Sequence, residues 1–242
     1  MLNNNTALIC ARLSQEVYLD FGAVKFDSLP GITVTLIESN DAGQTDTQAA
    51  VLHKPDSGEL YIVFRGTEKG ADWINNFQFR QGVYPYGDES TTDVRFHRGF
   101  MGAYFAVRDR VLDTVRQYPN CAITVTGHSL GGALATIAAL DLQYNITRHT
   151  GQAIQVYTFG APRVGNTALV NSFRQRVPES HRFVYGWDIV TRMPRLWQGF
   201  EHVPELHRLG NLLTWQLASR RLTDHYMSKY IEALEAKVSA AA

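Results

Sequence analysis

Ser129 sits where a serine could be made reactive. Residues 123–135 read Ile-Thr-Val-Thr-Gly-His-Ser-Leu-Gly-Gly-Ala-Leu-Ala, a β-branched run into Gly127-His128-Ser129-Leu130-Gly131 and an Ala-rich run out of it. A serine hydroxyl is a poor nucleophile at neutral pH, so it needs exposure, a base to take its proton and donors for the oxyanion it creates. A sharp strand-to-helix turn supplies the exposure, and Gly127 and Gly131 leave the room that such a turn needs. The backbone N–H of Leu130 is then the first oxyanion donor. A tight turn with an incidental serine is the plain alternative. The flanks argue against it: Ile123–Thr126 has strand propensity, and Leu134, Ile137, Ala138 and Asp141 recur at helical spacing.

The base and its orienting acid follow such a serine in the chain order serine, acid, histidine. Of eight histidines, His53, His97 and His128 precede Ser129, His149 lies at the tail of the next helix, and His181 precedes the best acid. His202 and His207 fall in Glu201-His-Val-Pro-Glu-Leu-His-Arg208, where a surface strand explains them adequately. His225, in the loop before the last predicted helix, fits the base better. Asp188 in Gly186-Trp187-Asp188-Ile189-Val190 follows the predicted strand Arg182–Tyr185, a strand-end position suited to the acid. Its competitor Asp224 adjoins His225 and reads as the N-cap of that last helix. A solvated turn aspartate is the bland account of Asp188.

Phe64-Arg65-Gly66-Thr67 ends a strand upstream of the serine, and Thr67 is the candidate second oxyanion donor. Ala71–Phe77 holds Trp73 and Phe77, large apolar groups that read equally as core or as a lid over the site. Between acid and base, Leu196, Trp197, Phe200, Leu209, Leu212, Leu213, Trp215 and Leu217 read equally as core or as a wall for apolar substrate, with Trp197 and Trp215 its main candidates.

The elements that must position these residues are legible as one α/β domain over 1–242. The 242 residues are 45% apolar and 19% charged, enough for a sizeable core. Thr6–Leu19 reads as an amphipathic helix capped by Thr6; Gln48–His53 and Leu60–Arg65 read as a hairpin at a sheet edge around Pro55-Asp56-Ser57-Gly58. Ala103–Tyr118 is the next helix, and from Ile123 strand and helix alternate through Ile154–Phe159, Thr167–Arg176 and Arg182–Tyr185 to a last helix over Tyr226–Val238. Such alternation implies a mainly parallel sheet with its site at the strands' carboxyl ends.

Basic and acidic side chains number 23 each, without long runs of one sign, so a nucleic-acid partner is disfavoured. Cys10 and Cys121 have neither disulfide-framework nor metal-ligand spacing and read as buried thiols. Met1–Asn5 lacks a basic start, and the apolar run Ala133–Leu140 is far below the roughly 20 residues that span a bilayer. The expectation is a soluble chain, cytoplasmic or a mature secreted form. Asn145-Ile146-Thr147 matches a glycosylation sequon inside a predicted helix and is discounted.

Together, Phe64-Arg-Gly-Thr67, Asp72-Trp73, His97-Arg-Gly-Phe100, Thr126-Gly-His-Ser-Leu-Gly-Gly132, Phe159-Gly-Ala-Pro-Arg-Val-Gly-Asn166, Asp188-Ile-Val190 and Asp224-His225 resemble, in order, the class 3 (fungal-type) lipases of the α/β-hydrolase fold. The resemblance covers most of the chain from Phe64 onward, and the Phe159–Asn166 block makes it far more specific than the elbow alone. It implies Ser129 as nucleophile, Asp188 as triad acid, His225 as base, and Thr67 with Leu130 as the oxyanion hole. It also implies cofactor-free hydrolysis of acyl esters, foremost triacylglycerols, at a lipid–water interface beneath a lid near residues 68–80. Phospholipase A1 or galactolipase action and a catalytically silent lipid-binding scaffold are the alternatives. Trp187 and Thr191 stand where the family often carries asparagine and proline, so the acyl-binding wall is expected to differ.

Overall fold

The computed structural model describes residues 2–39, 46–66, 81–83, 93–210 and 220–241. Seven strands form one sheet: β1 (Thr33–Glu38), β2 (Gln48–Lys54), β3 (Glu59–Phe64), β6 (Ala122–His128), β7 (Ile154–Phe159), β8 (Ser180–Tyr185) and β9 (Leu206–Leu209), paired in that spatial order. β1, β2 and β3 pair antiparallel, whereas β3, β6, β7, β8 and β9 run parallel. A separate short pair joins β4 (Gln81–Val83) to β5 (Arg95–His97). This is the α/β-hydrolase architecture. The expected hairpin is present, but β1 lies outside it and forms the edge. Its side chains are mostly half-buried, so the alternation that marks a strand is blurred in Thr33–Glu38.

Helices α1 (Asn4–Glu16) and α5 (Met227–Ser239) cover one face, while α2 (Arg98–Arg116), α3 (Leu130–Leu142) and α4 (Thr167–Arg176) cover the other. Burying two sheet faces yields two cores. Leu60, Ile62, Phe64, Ile123 and Val125 pack against α2 and α3, and Leu52, Tyr61, Tyr157, Phe159 and Phe183 pack against α1 and α5. β6 shows the division within one strand. Ile123 and Val125 point to the α3 side, while Thr124, Thr126 and His128 alternate to the α1 side, where Ser14 Oγ meets Thr126 Oγ1 at 3.1 Å. On the α3 side, buried Asp141 accepts from Tyr104 and Arg108, both at 2.8 Å, and ties α3 to α2.

Helix starts differ from expectation where an unusual cap is used. Asn3, not Thr6, caps α1, its Oδ1 accepting from the N–H groups of Asn5 at 2.9 Å and Thr6 at 3.2 Å. α2 begins five residues before Ala103 because buried His97 caps it, Nδ1 accepting from the Phe100 N–H at 3.3 Å. Asp224 does not cap α5; Tyr226 occupies that position without a side-chain bond. Asp224 is buried and accepts from the Trp187 N–H at 2.9 Å, so it fastens the loop before α5 to the loop after β8. Cys10 and Cys121 are buried free thiols. The Asn145 amide donates to the Asp141 carbonyl and carboxylate and is held against α3. No described helix is long and apolar enough to cross a membrane.

Candidate active site

β6 ends at His128, and α3 starts at Leu130. Ser129, alone between them, has φ 57° and ψ −126°, a backbone state costly for any residue with a Cβ. The surroundings enforce it. A Cβ on Gly127 would run into the Gly131 backbone, and one on Gly131 into the Phe64 carbonyl, so strand, turn and helix close to a distance that only glycines permit. The Ser129 N–H donates to the Phe159 carbonyl at 2.9 Å, pinning the turn to β7.

Three carboxyl-end loops converge there. His225 Nε2 lies 2.8 Å from Ser129 Oγ, and His225 Nδ1 lies 2.8 Å from Asp188 Oδ2. All three residues are buried, Asp188 completely. The Asp188 carboxylate takes two further donors, the Val190 N–H on Oδ1 at 2.9 Å and the Tyr230 hydroxyl on Oδ2 at 2.5 Å. Thr191 Oγ1 donates to the Asp188 carbonyl at 2.8 Å and so locks the acid loop. A carboxylate gripped by this many donors cannot rotate away from the imidazole.

Behind the base lies a residue the motif reading passed over. His128 Nε2 meets the His225 carbonyl at 2.8 Å, and His128 Nδ1 meets the Tyr18 hydroxyl at 3.3 Å. Nε2 therefore carries the proton and Nδ1 accepts one. Burial first, then the neighbouring His225, holds His128 well below the usual histidine range, so it is a neutral support. Its signal was invisible in spacing, because a histidine inside the elbow cannot act as that serine's base. Tyr230 was missed too; it lies on α5 and reads in sequence as ordinary helix core.

Gly160 completes the fit. It has φ +59°, and a Cβ there would fall 2.7 Å from Asp188 Oδ2 and 3.0 Å from His225 Nδ1. The second glycine-containing block, Phe159–Asn166, thus makes room for the acid and base.

A family model for class 3 lipases matches residues 61–197, more than half of the chain. The chain belongs to the class 3 lipase family. That match spans Ser129 and Asp188 and ends before His225. A lipase of Rhizomucor miehei is 36% identical over 164 residues, which are 66% of this chain and 44% of the relative. A secreted mono- and diacylglycerol lipase of Fusarium solani is 34% identical over 148 residues, covering 60% of this chain and 42% of its own. The chain thus aligns with less than half the length of these curated relatives. A solved triacylglycerol lipase, described as having a serine-protease triad at its catalytic centre, superposes with a TM-score of 0.73 at 27% identity and 92% coverage of both chains.

Of the remaining class 3 features, Leu130 stands at the first position of α3, where a backbone N–H has no acceptor within the helix and the helix dipole favours negative charge. Thr67, Trp73, Phe77, Trp215 and the lid segment 68–80 lie outside the described residues. The suggested wall divides: Phe200 and Leu209 are core, whereas Leu196 and Trp197 are exposed, Trp197 by 75%. His207 lies on β9 as expected of a surface strand, but His202 does not; it lies outside any strand with Nε2 2.5 Å from the Thr191 carbonyl. Among the described residues no group of three or more metal-ligating side chains converges.

Proposed function

We propose that the protein is a carboxylic-ester hydrolase acting on acylglycerols, a triacylglycerol lipase working through an acyl-enzyme. The observation that carries this is the unbroken line Ser129 Oγ, His225 Nε2, His225 Nδ1, Asp188 Oδ2, with 2.8 Å at each hydrogen-bonded step. His225 removes the Ser129 proton as Oγ bonds to the ester carbonyl carbon. The carbonyl electrons move onto oxygen, which the Leu130 N–H receives together with Thr67. Collapse of this intermediate expels the alcohol, which leaves with the proton from His225. Water then attacks the acyl-enzyme, gives a proton to His225, and the free acid departs as Ser129 recovers that proton. Asp188 holds the imidazole with Nε2 facing the serine and stabilises its cation. Named relatives that act on mono-, di- and triacylglycerols support the lipid-ester substrate.

A fluorophosphonate probe should label the native chain stoichiometrically and the Ser129→Ala chain not at all. On a panel of p-nitrophenyl esters, emulsified triglyceride and phospholipid, Ser129→Ala should lose at least a thousandfold in kcat, since triad members act as a unit. Folded native protein that neither labels nor hydrolyses any ester would leave a lipid-binding scaffold instead. Phospholipid consumed in preference to triglyceride would move the assignment to a phospholipase.

A further inference from the structure

Behind the acid loop lies a cavity of about 570 Å³, lined by the carboxyl half of β8, by β9 and by the segment that follows Asp188; neither Ser129 nor His225 lines it. Its charge is one-sided. Arg163, Arg182, Arg192, Arg195 and Arg208 line it with His202, and the one carboxylate among its described lining residues, Asp188, is already engaged by His225, Tyr230 and the Val190 N–H. β8 turns Phe183 toward the α1–α5 core, and alternation turns Arg182 and Val184 to the opposite face. Arg182 is only 8% exposed, donates through Nε to the Val203 carbonyl at 3.3 Å, and has no ion-pair partner among the described residues. Buried arginines are otherwise retained by pairing with an anion. Arg163 donates to the carbonyls of Arg192 and Pro194, yet its buried Nε has no hydrogen-bond partner among the described residues. Burial, then Arg163 and Arg208, lowers Arg182 to about 10, so it stays charged at neutral pH among like charges. Burial followed by Arg182 and Arg163 likewise holds His202 well below the usual histidine range, and therefore neutral.

We propose that this arginine-lined cavity binds a phosphoryl oxyanion, with Arg182 at its floor and Arg163 and Arg208 closing on the same group. Planar guanidiniums present paired N–H donors that match phosphate oxygens, and several converging on one unpaired space supply the charge that a phosphate dianion needs. Leu196 and Trp197 line the same cavity, and both are largely exposed. Arg195 stands over the Trp197 ring at 4.6 Å. The oxyanion is therefore either free phosphate or the headgroup of an anionic lipid whose chains lie along these two apolar residues.

Calorimetric titration of the full chain with inorganic phosphate, against chloride at equal ionic strength, tests the site. Sedimentation of the Ser129→Ala chain with phosphatidylcholine vesicles, with and without phosphatidic acid, separates the sources without consuming lipid. Saturable phosphate binding, weakened about tenfold in Arg208→Gln, is expected, the factor that one charge-assisted hydrogen bond corresponds to. Phosphate binding without vesicle association assigns the site to the free ion. Association that requires phosphatidic acid and fails in Arg208→Gln assigns it to the headgroup. Arg182→Met should abolish either; if it does not fold, exposed Arg208 still decides. No phosphate binding and no preference for phosphatidic acid overturns the proposal, as does binding that folded Arg208→Gln retains in full. These readouts do not depend on ester hydrolysis, so they stand apart from the proposed catalytic role.

Discussion

Gly160→Ala should switch off the reaction while leaving the fold standing. The added Cβ falls 2.7 Å from Asp188 Oδ2 and 3.0 Å from His225 Nδ1, where ordinary contact begins at 3.4 Å. The acid must therefore retreat by about 0.7 Å, and its bond to His225 stretches or bends with it. A catalytic group held to within about half an ångström loses roughly a hundredfold in rate for a displacement near 1 Å, or about 2–3 kcal/mol in the barrier. The variant also places alanine at φ +59°, costing about 1–2 kcal/mol of stability whatever its neighbours do. Gly151→Ala separates the two effects. Gly151 has φ +73° with nothing within 4 Å of an added Cβ, so it carries the backbone cost without the clash. Steady-state hydrolysis of p-nitrophenyl butyrate with thermal melts should give kcat down about a hundredfold with little change in KM for Gly160→Ala, and unchanged kcat for Gly151→Ala. Native kcat in Gly160→Ala, or a loss of rate in both variants in proportion to their stability, would refute a steric effect on the acid and base.

Tyr230→Phe removes one donor from a buried carboxylate at constant shape and should lower kcat about tenfold or more with KM nearly constant; an unchanged kcat would reduce the hydroxyl to packing. Acidification should unfold the protein earlier than carboxylate titration alone would. His97, brought to about 4 by burial, and His128, held well below its usual range, are neutral in the fold. The unfolded chain takes up their protons below about pH 6.5, so their contribution is intact above that pH and is lost as pH falls toward the folded values. Near pH 5 His97 alone costs about 2 kcal/mol, which lowers the melting temperature by roughly 5 °C in a chain of this size, and His128 adds to the loss in the same direction. A melting temperature flat from pH 7 to pH 5 contradicts this.

The triad was legible because each member sits at a position defined by chain order and local pattern: a serine between two glycines, an aspartate just past a strand, a histidine before the last helix. What sequence could not show was support supplied across the sheet. Tyr230 belongs to α5 by its periodicity, and nothing in that pattern distinguishes a core tyrosine from one whose hydroxyl ends on Asp188. Asp224 was assigned to helix capping because a local bond was the simplest use for it, whereas its partner lies 37 residues away at Trp187. The start of α2 was hidden because Gly99 and Gly102 are weak helix formers and histidine is an uncommon cap. For Tyr230 and Asp224 a long-range polar contact decided the outcome, whereas for α2 a local but uncommon cap did.

The strain at Ser129 and the stitching around it are two sides of one design. A left-handed serine persists only where its surroundings over-determine it, and here each constraint comes from a different element. β3 sets the Phe64 carbonyl against Gly131, β7 holds the Ser129 N–H through Phe159, and α3 begins on the next residue. His225 is fixed as independently: its carbonyl accepts from His128 in the elbow, its ring is held by Asp188, and the Asp224 beside it is tied to Trp187. The hydrogen bond from the His128 ring to the His225 carbonyl joins the nucleophile's turn directly to the base's loop. A shift of one therefore carries the other, and the 2.8 Å between hydroxyl and imidazole does not depend on two separately mobile loops. That coupling is why a polar histidine occupies the end of β6 where an apolar side chain would pack at less cost.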